Sequence, residues 1–136
     1  MVTETYLTAR YAETDQMGII HHSNYAIWFE AGRMDFLRKA GISNVEVEKN
    51  GYLLPLSKID CSFKRPAKYD DQIVVETRIK RMTCVRMEFE YKVFNGSDSR
   101  LLAHGTTIHA WTDKELTPVN IEKNMPQAYS LLKETM

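Results

Sequence analysis

The most regular pattern in the chain is an alternation of apolar and charged residues over positions 85–93. The apolar set is Val85, Met87, Phe89, Tyr91 and Val93, and the charged set between them is Arg86, Glu88, Glu90 and Lys92. A period of two is typical of an antiparallel strand with one buried face. Asn95-Gly96 follows as a hairpin-turn signal, and the partner strand is predicted from Arg100 to Trp111.

A helical period marks positions 24–40. Apolar and small residues recur there at spacings of three and four, as on one face of a helix: they are Tyr25, Trp28, Phe29, Gly32, Phe36 and Leu37. Ser23 or Asn24 is the predicted N-cap, and Gly41 the predicted C-terminal stop. A helix of this length spans about 25 Å, enough to cross a whole sheet. Because Gly32 lowers helix propensity, we expect it to permit close approach to whatever the helix packs on.

Three further strands and a closing helix complete the pattern. The strands are predicted at Glu4–Tyr11, Leu54–Phe63 and Gln72–Lys80, and the helix at Ile121–Lys133. The order is therefore one strand, one long helix and four strands. Because the apolar face of the helix must be buried on the sheet, this order predicts an α+β fold in which a twisted antiparallel sheet wraps a central helix. The exposed sheet edge favours association with a second subunit.

Composition narrows the class of protein. A chain of 136 residues suffices for a single domain, predicted here over 1–136, and basic and acidic residues balance at 18 each. That balance provides no field favouring nucleic acid or an anionic membrane. No apolar run approaches the roughly 20 residues of a bilayer span, and the first residues lack the character of a signal peptide. Cys61 and Cys84 lack the spacing of a disulfide scaffold or metal site, which predicts a reduced, cytoplasmic protein.

The loop before the long helix contains the candidate chemistry. Asp15 is followed by Gly18, which permits a tight bend, and by Ile19 and Ile20, which would reduce solvation of the carboxylate. At the helix start near His22, backbone N–H groups lack intrahelical acceptors and carry the positive end of the helix dipole. A carboxylate opposite such donors suits acyl transfer or hydrolysis. Spacing alone leaves open that Asp15 merely caps a turn.

The adjacent pair His21–His22 also raises a metal site as an alternative. Neighbouring side chains point in different directions, and no carboxylate–histidine ligand set accompanies the pair. The sequence therefore lends the metal interpretation little support.

Two motifs in this chain resemble one enzyme family. The pattern D-x-x-G-x-x-x-H-x-x-Y, formed by Asp15, Gly18, His22 and Tyr25 and followed by W-F-E-A-G-R, resembles the hotdog-fold acyl-CoA thioesterases. FKRPAKYDDQIVVET, residues 63–77, resembles the R-P-A-x-x-D-D segment of the branch that contains 4-hydroxybenzoyl-CoA thioesterase and the Tol-Pal-associated thioesterases. LLAHGTTIHAWTD resembles the last long strand of that branch. The resemblance covers nearly the whole chain and implies a long helix wrapped by a five-stranded antiparallel sheet.

The same resemblance implies a function. It points to hydrolysis of acyl-CoA thioesters to a carboxylic acid and CoA, with no cofactor and no metal, at an active site on a homodimer interface; a homotetramer is common in the family. Asp15 matches the catalytic aspartate, acting as nucleophile or general base. His22 matches the position whose backbone N–H polarises the thioester carbonyl. Tyr25 is expected either beside the acyl pocket or simply in the core.

Glu30 is a rival catalytic acid, because a second hotdog branch uses a helix glutamate near this spacing. That branch favours a His-Gly-Gly start to the helix, and the HHSN of this chain departs from it. Asp15 is therefore preferred, with Glu30 as an indirect contributor or a helix ion-pair partner. Glu13 is expected to be solvated.

The remaining predictions concern the substrate. Lys64, Arg65 and Lys68 form a basic cluster that could bind the phosphates of CoA, although a solvated turn also explains it. The acyl group, and the choice between CoA and acyl-carrier protein, stay open. The alternative functions are a hotdog dehydratase or hydratase, whose own acid/base motif is absent here, and a non-catalytic acyl-CoA- or acyl-carrier-binding module, which would not need Asp15.

Overall fold

The computed structural model of the protein describes residues 1–136 and contains a five-stranded antiparallel sheet packed on one long helix. The strands are β1 (Thr3–Thr8), β2 (Tyr52–Leu53), β3 (Leu56–Phe63), β4 (Gln72–Met82), β5 (Arg86–Asn95), β6 (Leu101–Ala110) and β7 (Thr112–Asp113). The helices are α1 (Ser23–Lys39), α2 (Asn44–Lys49), α3 (Ile121–Asn124) and α4 (Pro126–Glu134). The large sheet has the order β1-β4-β5-β6-β3, and β2 pairs with β7 separately. The predicted α+β class is confirmed.

The core lies between α1 and the sheet. All six predicted helix positions are buried, and β5 buries Met87 and every second residue to Val93. Phe29 of α1 stacks on Tyr91 of β5, with ring centroids 4.4 Å apart and planes 6° from parallel. The alternation and the helical period therefore identified the two faces that meet in the core.

Two glycines allow α1 to lie directly on the sheet. A Cβ atom at Gly32 would lie 2.5 Å from Thr77 Oγ1 and 2.9 Å from Val75 Cγ1, both on β4. A Cβ atom at Gly105 of β6 would overlap a backbone carbonyl of β3 and would lie 2.9 Å from the ring of Phe29. The expected close approach at Gly32 is confirmed, and no pattern in the sequence indicated its counterpart at Gly105.

The ends of α1 agree only in part with the prediction. Gly41 ends the helix as predicted: its φ is +90°, and the N–H of Ile42 donates to the carbonyl of Leu37 at 2.9 Å. The predicted N-cap is wrong, because His22 occupies that position without a side-chain capping bond. The Asn24 side chain points back instead and donates to carbonyl oxygens of the preceding segment.

Several shorter elements differ from the prediction. β1 ends at Thr8, and Tyr11–Glu13 is a turn of 3-10 helix. The closing helix is broken between α3 and α4 at Pro126, which has no N–H to continue a helix. The hairpin predicted after β5 is present, and residues 96–100 form its connecting loop. α2, β2 and β7 were not predicted. None of the helices is both long enough and apolar enough to cross a bilayer.

A chain of polar contacts runs through the core. Arg33 donates to the Tyr91 hydroxyl at 3.2 Å. The same hydroxyl lies 2.6 Å from Thr107 Oγ1. Thr107 Oγ1 is 2.9 Å from His109 Nε2, and His109 Nδ1 is 3.2 Å from the carbonyl of Leu54. The carbonyl can only accept, so Nδ1 carries the proton and Nε2 accepts from Thr107. Burial, and secondarily the charge of Arg33, lower the pKa of His109 to about 4.

We expect Gly32→Ala to destabilise the protein, although glycine-to-alanine changes inside a helix normally stabilise it by about 1 kcal/mol. The new Cβ would meet Thr77 and Val75, and such overpacking costs about 1–3 kcal/mol in the free energy of unfolding. Urea unfolding measures the loss, and adding Thr77→Ala should recover part of it. A Gly32→Ala variant as stable as wild type would contradict the close packing.

We expect His109 to make stability depend on pH between about 6.5 and 4. Its pKa is about 4 when folded, against 6.5 when unperturbed. The unfolded state therefore binds the extra proton in that range, so the stability contributed by the neutral imidazole is present above pH 6.5 and is lost as pH falls towards 4. In urea unfolding, the difference in the free energy of unfolding between wild type and His109→Gln should become smaller as the pH is lowered from 6.5 to 4. An equal gap at pH 7 and pH 4 would contradict the assignment.

Candidate active site

The loop over positions 14–20 presents Asp15 at the surface. Thr14 and Ile20 form an isolated antiparallel bridge, and the N–H of Asp15 donates to the carbonyl of Ile19 at 2.9 Å. Gly18 has a φ of +78° and donates to the Asp15 carbonyl at 3.0 Å. The bend predicted at Gly18 is therefore present.

The Asp15 carboxylate is only half engaged. Its Oδ1 accepts from the N–H of Met17 at 2.8 Å, which is the turn-capping contact that the sequence left open. Its Oδ2 has no hydrogen-bond partner in the chain. The capping contact therefore fixes the carboxylate and leaves one oxygen free for chemistry.

The N-terminus of α1 offers an unengaged donor. The backbone N–H of His21 donates to the carbonyl of Glu13 at 2.8 Å, and that of Ser23 lies 3.2 Å from His21 Nδ1. The N–H of His22 donates to no acceptor of the chain. Because it lies at the positive end of a 17-residue helix, this N–H suits the stabilisation of a developing negative charge.

Asp15 and His22 line one open cavity of about 340 Å³. The remaining lining residues are Met17, Ile19, Ile20, Tyr25, Phe63, Lys64, Arg65 and Pro66. One part of the wall is apolar and another carries two cations. The structure thus brings together the loop motif and the R-P-A motif, which lie far apart in the sequence.

The aromatic side of the cavity is tightly packed. Tyr25 is buried, with its ring 4.8 Å from that of Trp28 and edge-on to Phe63 at 5.0 Å. Burial raises the pKa of Tyr25 to about 12, so its hydroxyl stays protonated at neutral pH. Tyr25 is both a core aromatic and a cavity wall. His22 is exposed, and its ring packs against that of His21 with centroids 4.0 Å apart and planes tilted by 32°.

Backbone hydrogen bonds hold the basic cluster against the start of β6. The N–H groups of Lys64 and Arg65 both donate to the carbonyl of Leu102, at 2.8 and 3.0 Å. Lys68 lies just beyond, where its N–H donates to Asp71 Oδ2 at 2.9 Å, and its side chain does not line the cavity. None of the three cations forms an ion pair.

Glu30 does not line the Asp15 cavity. It is exposed and lines a separate cavity of about 390 Å³, together with Arg33 and apolar residues from α1 and from the segment before β3. The rival acid and the preferred acid therefore lie on different surfaces of the chain.

Glu13 is the residue of this region whose predicted environment was wrong. It is 5% exposed rather than solvated. Its side chain accepts from the backbone N–H of Arg10, a capping-box contact whose three-residue spacing the sequence shows. Its second partner is the indole of Trp28, a tertiary contact that no local pattern reveals.

Comparison with known proteins identifies the family. Residues 9–128 match the family model described as the Thioesterase-like superfamily. The chain is 35% identical over 126 residues to the putative acyl-CoA thioesterase YneP of Bacillus subtilis, covering 92% of this chain and 91% of the relative. It is 30% identical over 122 residues to the chloroplastic acyl-acyl carrier protein thioesterase ATL3 of Arabidopsis thaliana, covering 90% of this chain and 64% of that protein.

Solved structures agree. The DHNA-CoA thioesterase from Staphylococcus aureus superposes with a TM-score of 0.92 at 31% identity, covering 98% of this chain and 91% of that one. Family match, sequence relatives and architecture thus coincide over nearly the whole length. The chain belongs to the Thioesterase-like superfamily and is a thioester hydrolase with the hotdog fold.

Proposed function

We propose that this protein hydrolyses acyl-CoA thioesters to a carboxylic acid and CoA, with Asp15 as the catalytic carboxylate. The supporting observation is that the half-engaged carboxylate and the unengaged N–H of His22 line the same cavity. The names of the relatives support the substrate class, since YneP is a putative acyl-CoA thioesterase and the S. aureus structure is a DHNA-CoA thioesterase.

In the proposed reaction the thioester carbonyl oxygen accepts a hydrogen bond from the backbone N–H of His22. Oδ2 of Asp15 either adds to the carbonyl carbon or removes a proton from a water molecule that adds in its place. Either addition puts negative charge on the carbonyl oxygen, beside the helix N-terminus, where a donor of this kind typically lowers the barrier by about 3–4 kcal/mol.

The C–S bond then breaks, and its electron pair leaves on sulfur as CoA thiolate. On the covalent route this leaves an acyl–Asp15 anhydride, which water hydrolyses to the carboxylic acid, restoring the Asp15 carboxylate. On the base route the acid forms directly, and Asp15 passes its proton to solvent. Both routes balance without a metal or a redox cofactor.

The cations beside the cavity fit the other end of the substrate. Lys64 and Arg65 line the cavity and have no carboxylate partner, so they are free to bind the phosphates of CoA. Lys68 extends the same turn. An acyl-carrier protein, as in the name of ATL3, carries its acyl chain on a phosphate-linked arm and is the second candidate donor.

A second copy of the chain is the proposed partner. β3 is an edge strand with one unpaired side, and it exposes the large apolar residues Leu56, Ile59 and Phe63. Such an edge is a template for strand pairing. Because Phe63 also lines the Asp15 cavity, a partner seated on β3 would border the active site. We propose that the chain forms at least a homodimer, with a homotetramer as the larger assembly. The molar mass measured by sedimentation distinguishes the dimer from the tetramer.

Two finer assignments also belong to the proposal. We propose, from the resemblance of its two motifs, that the chain is a member of the branch of 4-hydroxybenzoyl-CoA and Tol-Pal-associated thioesterases. Cys61 and Cys84 are unpaired, which fits a cytoplasmic location.

We expect Asp15→Asn to reduce kcat by about 10²–10⁴-fold, because the amide is neither a base nor a useful nucleophile. The measurement is release of free thiol from a panel of short-chain, long-chain and aromatic acyl-CoAs. Glu30→Gln is the matched control: it removes a carboxylate of α1 that lines the other cavity, and it should leave most of the rate.

The reverse result would reassign the acid. If Asp15→Asn keeps the wild-type rate and Glu30→Gln abolishes it, Glu30 is the catalytic group. A wild-type protein inert towards every acyl-CoA and acyl-carrier thioester would contradict the proposed activity itself.

A further inference from the structure

The carboxylate of Glu13 is buried and fully engaged two residues before Asp15. Oε1 accepts from the backbone N–H of Arg10 at 2.8 Å, and the Arg10 side chain approaches it to 3.6 Å. Oε2 accepts from the indole Nε1 of Trp28 at 3.2 Å. Trp28 itself is 3% exposed and lies in the body of α1. One carboxylate therefore joins the segment leading into the Asp15 loop to the interior of the helix.

The backbone of Glu13 makes a second set of bonds, to the first turn of α1 and to the residue before its N-cap. Its carbonyl oxygen accepts from the N–H of His21 at 2.8 Å and from the side chain of Asn24 at 3.0 Å. These two donors flank His22 in the sequence. The main chain of Glu13 thus binds beside the proposed oxyanion donor at the start of α1. Its side chain binds about one helical turn further along.

We propose that Glu13 is a positioning residue that sets the distance between the Asp15 carboxylate and the His22 N–H. The inference rests on the catalytic role proposed for Asp15. Glu13 touches neither the cavity nor the substrate, because it is absent from the cavity lining. It acts by fixing the backbone on which Asp15 is carried relative to the helix that supplies the N–H.

Burial makes this connection between loop and helix stiff. A buried carboxylate with donors on both oxygens resists displacement, because losing either donor leaves a charge poorly compensated. Catalytic geometry is sensitive to such displacement: a misplacement of about 1 Å can cost about 10²-fold in rate. The Asp15 loop has its own internal bonds, so loss of the side-chain bonds of Glu13 would shift the loop as a unit relative to α1, with only the main-chain bonds of Glu13 left to join them.

The test is a double-mutant cycle between Glu13→Ala and Asp15→Asn, assayed as kcat and KM for an acyl-CoA that wild type hydrolyses. Glu13→Ala should lower kcat by about 10–10²-fold, while KM changes much less. In the Asp15→Asn background the same change should have almost no effect, since a carboxylate that is absent cannot be misplaced.

Two further variants separate positioning from general instability. Trp28→Phe removes the indole donor and keeps an aromatic ring, so it should also lower kcat. It provides the test of the positioning role if Glu13→Ala fails to fold. Glu13→Gln keeps one acceptor oxygen and should restore part of the rate. Asp35→Ala is the matched control: Asp35 accepts from Thr5 Oγ1 at 2.7 Å and so joins β1 to α1 away from the cavity. Its loss should lower stability and leave kcat unchanged.

Three results would overturn the inference. The first is a kcat equal to that of wild type in both Glu13→Ala and Trp28→Phe, while Asp15→Asn is inactive. This result would refute the positioning role and would still support the proposed function. The second is an equal loss from Glu13→Ala with and without the Asp15 carboxylate, which marks a general structural effect. The third is full activity of Asp15→Asn, which would refute the proposed function and the positioning role with it.

Discussion

The direct contact of α1 with the sheet is the constraint on which the rest of the molecule depends. Gly32 lets the helix backbone lie against Thr77 and Val75, and Gly105 leaves room for the ring of Phe29. Phe29 then stacks on Tyr91 at the centre of the core. Because the helix is seated this closely, its N-terminus is held at a fixed place beside the loop that carries Asp15.

The candidate site follows from that placement. Its donor is a main-chain N–H that no side chain has to supply, and its acid stands on a short loop closed by its own hydrogen bonds. The two parts need a connection, and Glu13 bonds to both sides of their junction. The cavity is open and its apolar wall includes Phe63 of the free edge strand, which is why a second subunit belongs to the proposal.

Much of the fold was predictable because the spacing of apolar residues in α1 and β5 shows, within each segment, which face is buried. The N-cap and the break at Pro126 differ from the prediction for different reasons. The Asn24 side chain donates to the carbonyl of a neighbouring segment, and Pro126 lies within a sequence whose composition otherwise suits one continuous helix. The sequence motifs also named Asp15 and His22, which do share a cavity. The burial of Glu13 was missed, because its bond to Trp28 spans 15 positions and leaves no periodic trace.

The most direct test of the central claim is a crystal structure of the Asp15→Asn variant with an intact acyl-CoA thioester bound. We expect the carbonyl oxygen to lie about 2.7–3.1 Å from the backbone nitrogen of His22. The substituted side chain at position 15 should face the carbonyl carbon, and the CoA phosphates should lie beside Lys64 and Arg65. A thioester carbonyl bound away from the N-terminus of α1, with Glu30 of either subunit next to its carbon, would contradict the proposed site.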